Sequence, residues 1–284
     1  SAYITKDVVR ALRARVALEK EDYQGAISAA TSLIGSGTYP LMTDAAAYAD
    51  MWLHDNGTEA IWQFAMIKGQ ETGPNTLGSA FSGIIDVLPR PSYIPTTTVL
   101  NLYDQENDIR YAAYFTYDSI DAQSVSDFML TYCKKWPGNP ELYDGKSNNV
   151  NKTKAFRISE MYLIAAEAYA MSGDETNASK ILNELKAARI KGWSEKTYSG
   201  NALMKEIQNE YVRELFAEDP HIFNMKRWKV GLNRSTSEAQ VVSYLPALGT
   251  DMVKPADNHM WVWPIPKEEI DSNPQIKGQQ NEGY

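Results

Sequence analysis

One segment dictates what kind of fold this chain can adopt. Residues 156–171 read Phe-Arg-Ile-Ser-Glu-Met-Tyr-Leu-Ile-Ala-Ala-Glu-Ala-Tyr-Ala-Met, and only Arg157, Ser159, Glu160 and Glu167 interrupt the apolar positions. A helix with so little polar surface is stable only when neighbours cover most of its sides. Ser172-Gly173-Asp174 ends it, and residues 176–189 then place Ala178, Ile181, Leu182, Leu185 and Ala188 at helical spacing. The two segments predict a helical hairpin.

A second hairpin opens the chain. Residues 6–19 carry Val8, Val9, Leu12 and Val16, and residues 23–34 carry Tyr23, Ala26, Ile27, Ala30 and Leu33. The hairpins superpose at an offset of 152 residues, setting Leu12 on Ile164, Ala14 on Ala166, Asp22 on Asp174, Ala26 on Ala178 and Leu33 on Leu185. Small residues recur where helices must approach closely, as a tetratricopeptide-like pair requires. The repeats are scattered instead of tandem. The expected architecture is therefore mostly α: a scaffold of tetratricopeptide-like hairpins, interrupted by a long, irregular, loop-rich insertion with a few short strands. As a single domain over 1–284 it divides into a hairpin at 1–36, the insertion at 37–154, and a second hairpin with a C-terminal cap at 155–284.

Within the insertion, residues 60–65 suit a short strand, 68–91 are rich in Gly, Ser, Thr, Asn and Pro, and 96–103 read as a threonine-capped helix. Residues 136–152 are a second irregular stretch. Further on, 201–216 sets Met204, Ile207, Tyr211 and Leu215 on one helical face, and the chain turns at Pro220. At the end, Trp261 and Trp263 alternate on an extended segment, and Pro264 and Pro266 fix its exit. Lys267 begins a helical turn that Asn273-Pro274 stops, an ending that finishes a packed surface.

Charge and motifs exclude several function classes. The net charge is -8, with no basic run to track phosphates, which argues against nucleic acid. Cys133 is the single cysteine and reads as a buried thiol. No apolar run approaches a membrane span. His54, His221 and His259 lie far apart, none with an i,i+4 histidine or acidic partner in the zinc-enzyme pattern, so no metal and no cofactor is expected. Phosphate-loop, dinucleotide-binding and nucleophile-elbow motifs are missing. Glu210 with Glu214 and Glu218 with Asp219 are the paired acids a glycosidase would need. Ion pairing with Arg213, Lys226 and Arg227 explains them more simply, and no enzyme is expected.

Aromatic residues in the insertion are the better lead. A sugar's apolar face stacks on Trp or Tyr while its hydroxyls require amides and charged groups nearby. Tyr93, Tyr132, Trp136 and Tyr143 are accompanied by Asn75, Asp86, Arg90, Asn139 and Asp144. Taken singly, each of these aromatics is better explained by core packing, and the signal is the cluster as a whole.

Read together, the segments resemble the SusD/RagB family, the surface lipoproteins with which Bacteroidetes capture glycans and other nutrients. The landmarks are Ile4-Thr5-Lys6 before Ala11-Leu-Arg-Ala-Arg, Asp22-Tyr23 with Ala26, Ser36-Gly-Thr-Tyr-Pro-Leu41, and Tyr93-Ile-Pro-Thr96 with Leu100 through Asp108-Ile-Arg110. They continue through Phe156-Arg-Ile-Ser-Glu-Met-Tyr, Arg213-Glu-Leu, Lys226-Arg-Trp228, Trp263-Pro-Ile-Pro and Gln280-Asn-Glu-Gly-Tyr284. Where the family usually shows Glu-Gly, then Arg and Phe-Asp, this chain has Glu218-Asp219, His221 and Phe223-Asn224.

The resemblance implies non-catalytic binding of a nutrient glycan at the outer membrane and delivery to a TonB-dependent, SusC-like transporter. Members are usually longer, with a lipid-bearing N-terminal cysteine; this chain resembles their C-terminal part, and further helices are expected over an apolar face formed by Val8, Leu12 and Val16. The expected ligand contacts, Tyr93, Trp136, Tyr132, Tyr143, Asp86, Arg90 and Asn75, rest on composition alone. A helical-repeat adaptor for a protein or peptide partner is the alternative.

Overall fold

Covering an almost wholly apolar helix is the first requirement of this sequence, and the fold meets it by stacking. The computed structural model describes residues 3–69, 77–81, 84–85, 88–89, 91–120, 128–143, 145, 149–218, 221–234, 240 and 253–284, in two units, Ser1–Asp219 and Pro220–Tyr284. The first unit runs α1 (Lys6–Glu19), α2 (Tyr23–Ile34), α3 (Ala45–His54), β1 (Ala60–Gln63), α4 (Leu77–Phe81), β2 (Ile84–Ile85), β3 (Leu88–Pro89), α5 (Thr97–Leu100) and α6 (Ile109–Tyr114). It continues through β4 (Phe115–Ile120), β5 (Phe128–Cys133), β6 (Lys154–Arg157), α7 (Ile158–Met171), α8 (Glu175–Arg189) and α9 (Gly200–Glu214).

Helix α2 packs between α1 and α7, and α7 packs in turn on α8 and α9. Alanines make the close approach: Ala11, Ala14, Ala26 and Ala30 from the first hairpin meet Ala165 and Ala168 from α7 in one buried cluster. The 152-residue offset holds at the level of individual atoms. Asp22 caps α2 by accepting from Gly25 N at 2.9 Å, and Asp174 caps α8 by accepting from Asn177 N at 3.1 Å. Their own amides donate to Ala17 O and Tyr169 O, both at 2.9 Å. The preceding residue has positive φ in both turns, Glu21 at 59° and Gly173 at 86°.

Three sequence expectations need correction here. The α7 helix starts at Ile158, because Phe156 and Arg157 belong to β6, which pairs antiparallel with β1 (Trp62 opposite Phe156, Ala60 opposite Arg157). On α1, Val8 faces the core while Val9 joins Leu12 and Val16 on the exposed side. The insertion is also more regular than its composition suggests. Helix α3, capped by Asp44, and the β4–β5 hairpin, in register from Phe115 opposite Cys133 to Ile120 opposite Phe128, give it a framework. Its second core is aromatic: Tyr48, Trp52, Tyr103, Tyr114, Phe115 and Trp136 are all buried together. Cys133 is buried as expected, and burial pushes its thiol up to about 11.

The second unit contains α10 (His221–Arg227), a two-residue strand pair β7 (Leu232–Asn233) with β8 (Val253–Lys254), and α11 (Lys267–Ser272). Trp261 ends a 3-10 turn (His259–Trp261) and is not extended as the sequence suggested; its indole N–H donates to Pro255 O at 2.7 Å. Two prolines leave Ile265 as the only amide donor of Pro264-Ile-Pro266. The Gln280 side chain satisfies both its groups, accepting from Ile265 N at 2.8 Å and donating to Ile265 O at 3.1 Å. One amide side chain thus reproduces the hydrogen bonds of a neighbouring strand. Gly283, at φ 91°, is required because a Cβ there would meet the His259 ring at 2.6 Å.

Candidate functional site

Two kinds of side chain gather where the insertion meets the helical stack: a buried set of charges and a ring of aromatics. Most of the charges come from positions far apart in sequence, Arg110 and Glu214 being 104 residues apart and Glu59 and Arg189 130. Helix α9 presents Glu210, Arg213 and Glu214 to the interior, α8 presents Arg189, β6 ends in Arg157, and the start of α6 supplies Arg110. Glu214 accepts from Arg110 at 2.9 Å, from Arg157 at 2.9 Å and from Arg189 through both oxygens at 3.0 and 2.9 Å. Arg110 also forks onto Asp108 at 2.9 and 2.7 Å, and Arg157 forks onto Glu218 at 2.7 Å through each oxygen. Glu59 bridges Arg157 and Arg189 at 2.9 Å from each. These planar forks match carboxylate geometry, which is why arginine occupies the positions.

The electrostatics decide what the paired acids can do. Burial alone would raise the carboxyl of Glu210, but Arg110, Arg213 and Lys186 outweigh it and hold the group down at about 2. Three guanidiniums hold Glu214 well below the ordinary carboxylate range despite its burial, and Arg157 with Lys135 lowers the carboxyl of Glu218 against the opposing effect of its burial. A general acid needs the opposite shift, toward neutrality. Glu210, Glu214 and Glu218 are therefore members of a structural ion cluster, as the spacing of Glu210 with Arg213 suggested, although most of the partners are distant in sequence; Asp219 and the turn expected at Pro220 lie outside the described residues. Lys135, pressed against the rings of Trp52 (4.3 Å) and Tyr114 (3.8 Å), is pushed down by burial to about 8 even as it donates to Glu218 at 2.6 Å.

The structure separates the expected ligand contacts. Trp136 is only 1% exposed; its ring meets Trp52 edge-on at 5.2 Å and its indole N–H donates to Ala217 O at 2.9 Å. Tyr132 is buried on β5, opposite Thr116. Neither offers a free ring face. Tyr93 is 62% exposed, backed by Phe81 at 5.4 Å, and Tyr143 is 45% exposed, directly after a 3-10 turn (Pro140–Leu142). Asn75, Asp86, Arg90 and Asp144 lie outside the described residues. Asn139 is buried and works inward: its Oδ1 accepts from Glu141 N at 3.0 Å while its Nδ2 donates to Asp55 at 3.0 Å.

The two exposed rings sit on anchored backbone. Ser92 N donates to Ala80 O at 2.9 Å, which ties Tyr93 to α4, and Gly78 of α4 comes so near the backbone of Trp136 and Asn149 that a Cβ would lie 2.8 and 2.6 Å from their oxygens. Sequence reasoning missed Phe81, Asp55 and Lys154. The Asp55-Asn-Gly57 turn after an alanine-rich helix was the available signal for the second of these. It also missed an acidic partner for His54: Asp50, one helical turn earlier, contacts its Nδ1 at 2.5 Å and accepts from Asn56 at 2.9 Å. Among the described residues no cluster of His, Cys, Asp and Glu suits a metal ion, and no helix is long and apolar enough to cross a membrane.

Similar solved structures include a SusD superfamily protein from Bacteroides thetaiotaomicron VPI-5482, 24% identical with a TM-score of 0.81, covering 99% of this chain and 61% of that one. A putative sugar binding protein from Bacteroides vulgatus ATCC 8482 is 22% identical with a TM-score of 0.79, over 100% of this chain and 60% of its own. Surface glycan-binding protein A from Bacteroides uniformis is 18% identical with a TM-score of 0.69, over 99% and 61%. At these identities the likeness is one of fold, and the chain spans about three fifths of each relative's length. None of the curated proteins matches the chain. The family model described as the SusD family matches residues 103–284, from the aromatic core through the arginine-clamped α9 to the Gln280 amide pairing, and the chain belongs to that family.

Proposed function

We propose that this protein captures a glycan at the bacterial cell surface without altering it chemically and passes it to a TonB-dependent, SusC-like outer-membrane transporter. One observation carries the reading: Tyr93 and Tyr143 keep ring faces open beside backbone that is hydrogen-bonded to α4 at Ser92 and to Val150 at Asn139. Exposed aromatic rings on fixed supports are what the apolar faces of pyranose rings stack against, and they lose little side-chain freedom on binding. In this reading Asn75, Asp86 and Arg90 supply the polar contacts. Two structural relatives, a putative sugar binding protein and a surface glycan-binding protein, support the ligand class.

The test is calorimetric titration with soluble plant, microbial and host polysaccharides. Saturable binding to one class, weakened about tenfold or more by Tyr93→Ala or Tyr143→Ala, is the expected result, each tenfold being ~1.4 kcal/mol. Saturable binding that both substitutions leave unchanged would remove the two rings from the site, and no binding across the panel would sink the glycan reading. A second reading, a helical-repeat adaptor for a protein partner, is favoured by the exposed row of Val9, Leu12 and Val16 on α1. Polar substitution of that row separates the two, because only the adaptor loses its ligand.

A further inference from the structure

We infer that Asp55 is the positioning residue for Tyr143: one buried carboxylate fixes the backbone on both flanks of the segment that presents this ring. The functional half of the inference rests on the glycan-binding reading above; the structural half rests on geometry alone. Asp55 lies just past the end of α3, in the left-handed region at φ 57°, a conformation Asp tolerates better than most side chains. Its Oδ2 accepts from Asn139 Nδ2 and from the Lys152 backbone N–H, each at 3.0 Å, and its Oδ1 accepts from Lys154 Nζ at 3.0 Å.

Each donor stabilises a different part of the segment. Asn139 passes the constraint on through its own Oδ1 to Glu141 N, inside the turn that delivers Tyr143, and its amide N–H donates to Val150 O at 2.8 Å. Asn151, next to Lys152, accepts from Gly138 N at 2.8 Å and donates to Trp52 O at 2.8 Å. The flanks of Tyr143 are thus tied to each other and to the end of α3, with Asp55 at the crossing. A carboxylate is required because it is acceptor-only at both oxygens; an amide would turn an N–H toward one of the three donors.

A simpler role is conceivable, in which Asp55 serves only to neutralise buried Lys154. The full chain carrying Asp55→Ala, which removes both acceptor oxygens, and the same change combined with Lys154→Met, separates the two. The double variant removes both charges together, so it folds even where the single change leaves an uncompensated lysine and does not. Three quantities are read: Tm, amide exchange at Glu141, Leu142, Tyr143 and Lys152, and glycan affinity by calorimetry. Positioning predicts that the double variant regains the Tm lost to the unpaired lysine, while exchange at those amides stays at least tenfold faster than wild type and affinity at least tenfold weaker. Recovery of wild-type exchange and affinity in the double variant overturns it.

The two levels fail separately. Faster exchange in the double variant, together with a wild-type protein that binds no glycan, removes the glycan reading and leaves Asp55 as the device that orders Tyr143. A wild-type protein that binds glycan through Tyr143, with a double variant that binds equally well, removes the positioning role and leaves the glycan reading.

Discussion

The α1–α2 and α7–α8 hairpins share one backbone plan and differ in what surrounds them. Asp caps, positive-φ turn residues and turn hydrogen bonds coincide at the 152-residue offset. Yet Val9, Leu12 and Val16 are 56%, 49% and 47% exposed, whereas their counterparts Met161, Ile164 and Ala168 are essentially sealed. The comparison teaches that the turn sets the hairpin's shape locally, while its stability comes from what packs on the outer face. In the second hairpin that surrounding extends to the ion cluster, through Arg189 of α8 and Arg157 just before α7.

The largest effect that would break this contrast is expected at the cluster itself. Glu214→Gln leaves three guanidiniums short of a carboxylate and costs about 3–5 kcal/mol, enough to unfold a domain of ordinary stability, whereas exposed Glu21→Gln changes stability by less than about 0.5 kcal/mol. Urea denaturation measures both, and similar small effects would mean the cluster is energetically silent. Next, Ile164→Ala is expected to cost about 2–5 kcal/mol against less than about 1 for Leu12→Ala, since only the former opens a cavity. Equal costs would show that α1 is covered in solution.

Acid should weaken the cluster in a defined window. The folded carboxyl of Glu210 titrates at about 2 instead of 4.5, so its stabilisation is complete above 4.5 and is lost as pH falls toward 2, on the order of 3 kcal/mol. Urea midpoints measured at about pH 5 and about pH 2.5 check this, and a flat profile would contradict it. The smallest expected effect lies in the turns. Glu21→Gly relieves a left-handed non-glycine residue and should raise stability by about 0.5–1 kcal/mol, and Gly173→Ala at the matching site should lower it by a similar amount.

Much of the helical scaffold was legible because its signal is local. Apolar spacing and Asp-led turns placed α1 and α2 at their observed limits and brought the second hairpin within two residues of its own. The insertion was harder: β4 and β5 carry no tight-turn signature, and an alanine-rich α3 declares itself mainly through the Asp44 cap. Ion pairing at Glu210 was legible through Arg213, whereas Glu214 pairs with Arg110, Arg157 and Arg189, which lie 104, 57 and 25 residues away, and such contacts leave no trace in local spacing. Among the aromatics, composition treats Tyr93 and Trp136 alike. Orientation separates them, because a Trp whose N–H finds a backbone carbonyl is held inward, while Tyr93 rests on Phe81 and turns outward.

The balanced set of buried ions also bears on how stability varies with temperature. Unfolding an apolar core raises heat capacity strongly, whereas hydrating newly exposed polar and charged groups lowers it. An interior that holds Arg110, Arg157, Arg189, Glu210 and Glu214 alongside its alanines and aromatics therefore unfolds with a smaller heat-capacity increment than an all-apolar interior of the same area. Its free-energy curve is correspondingly flatter, and because ion hydration becomes less favourable on heating, the arginine clamp around Glu214 contributes relatively more in the warm half of that curve than in the cold.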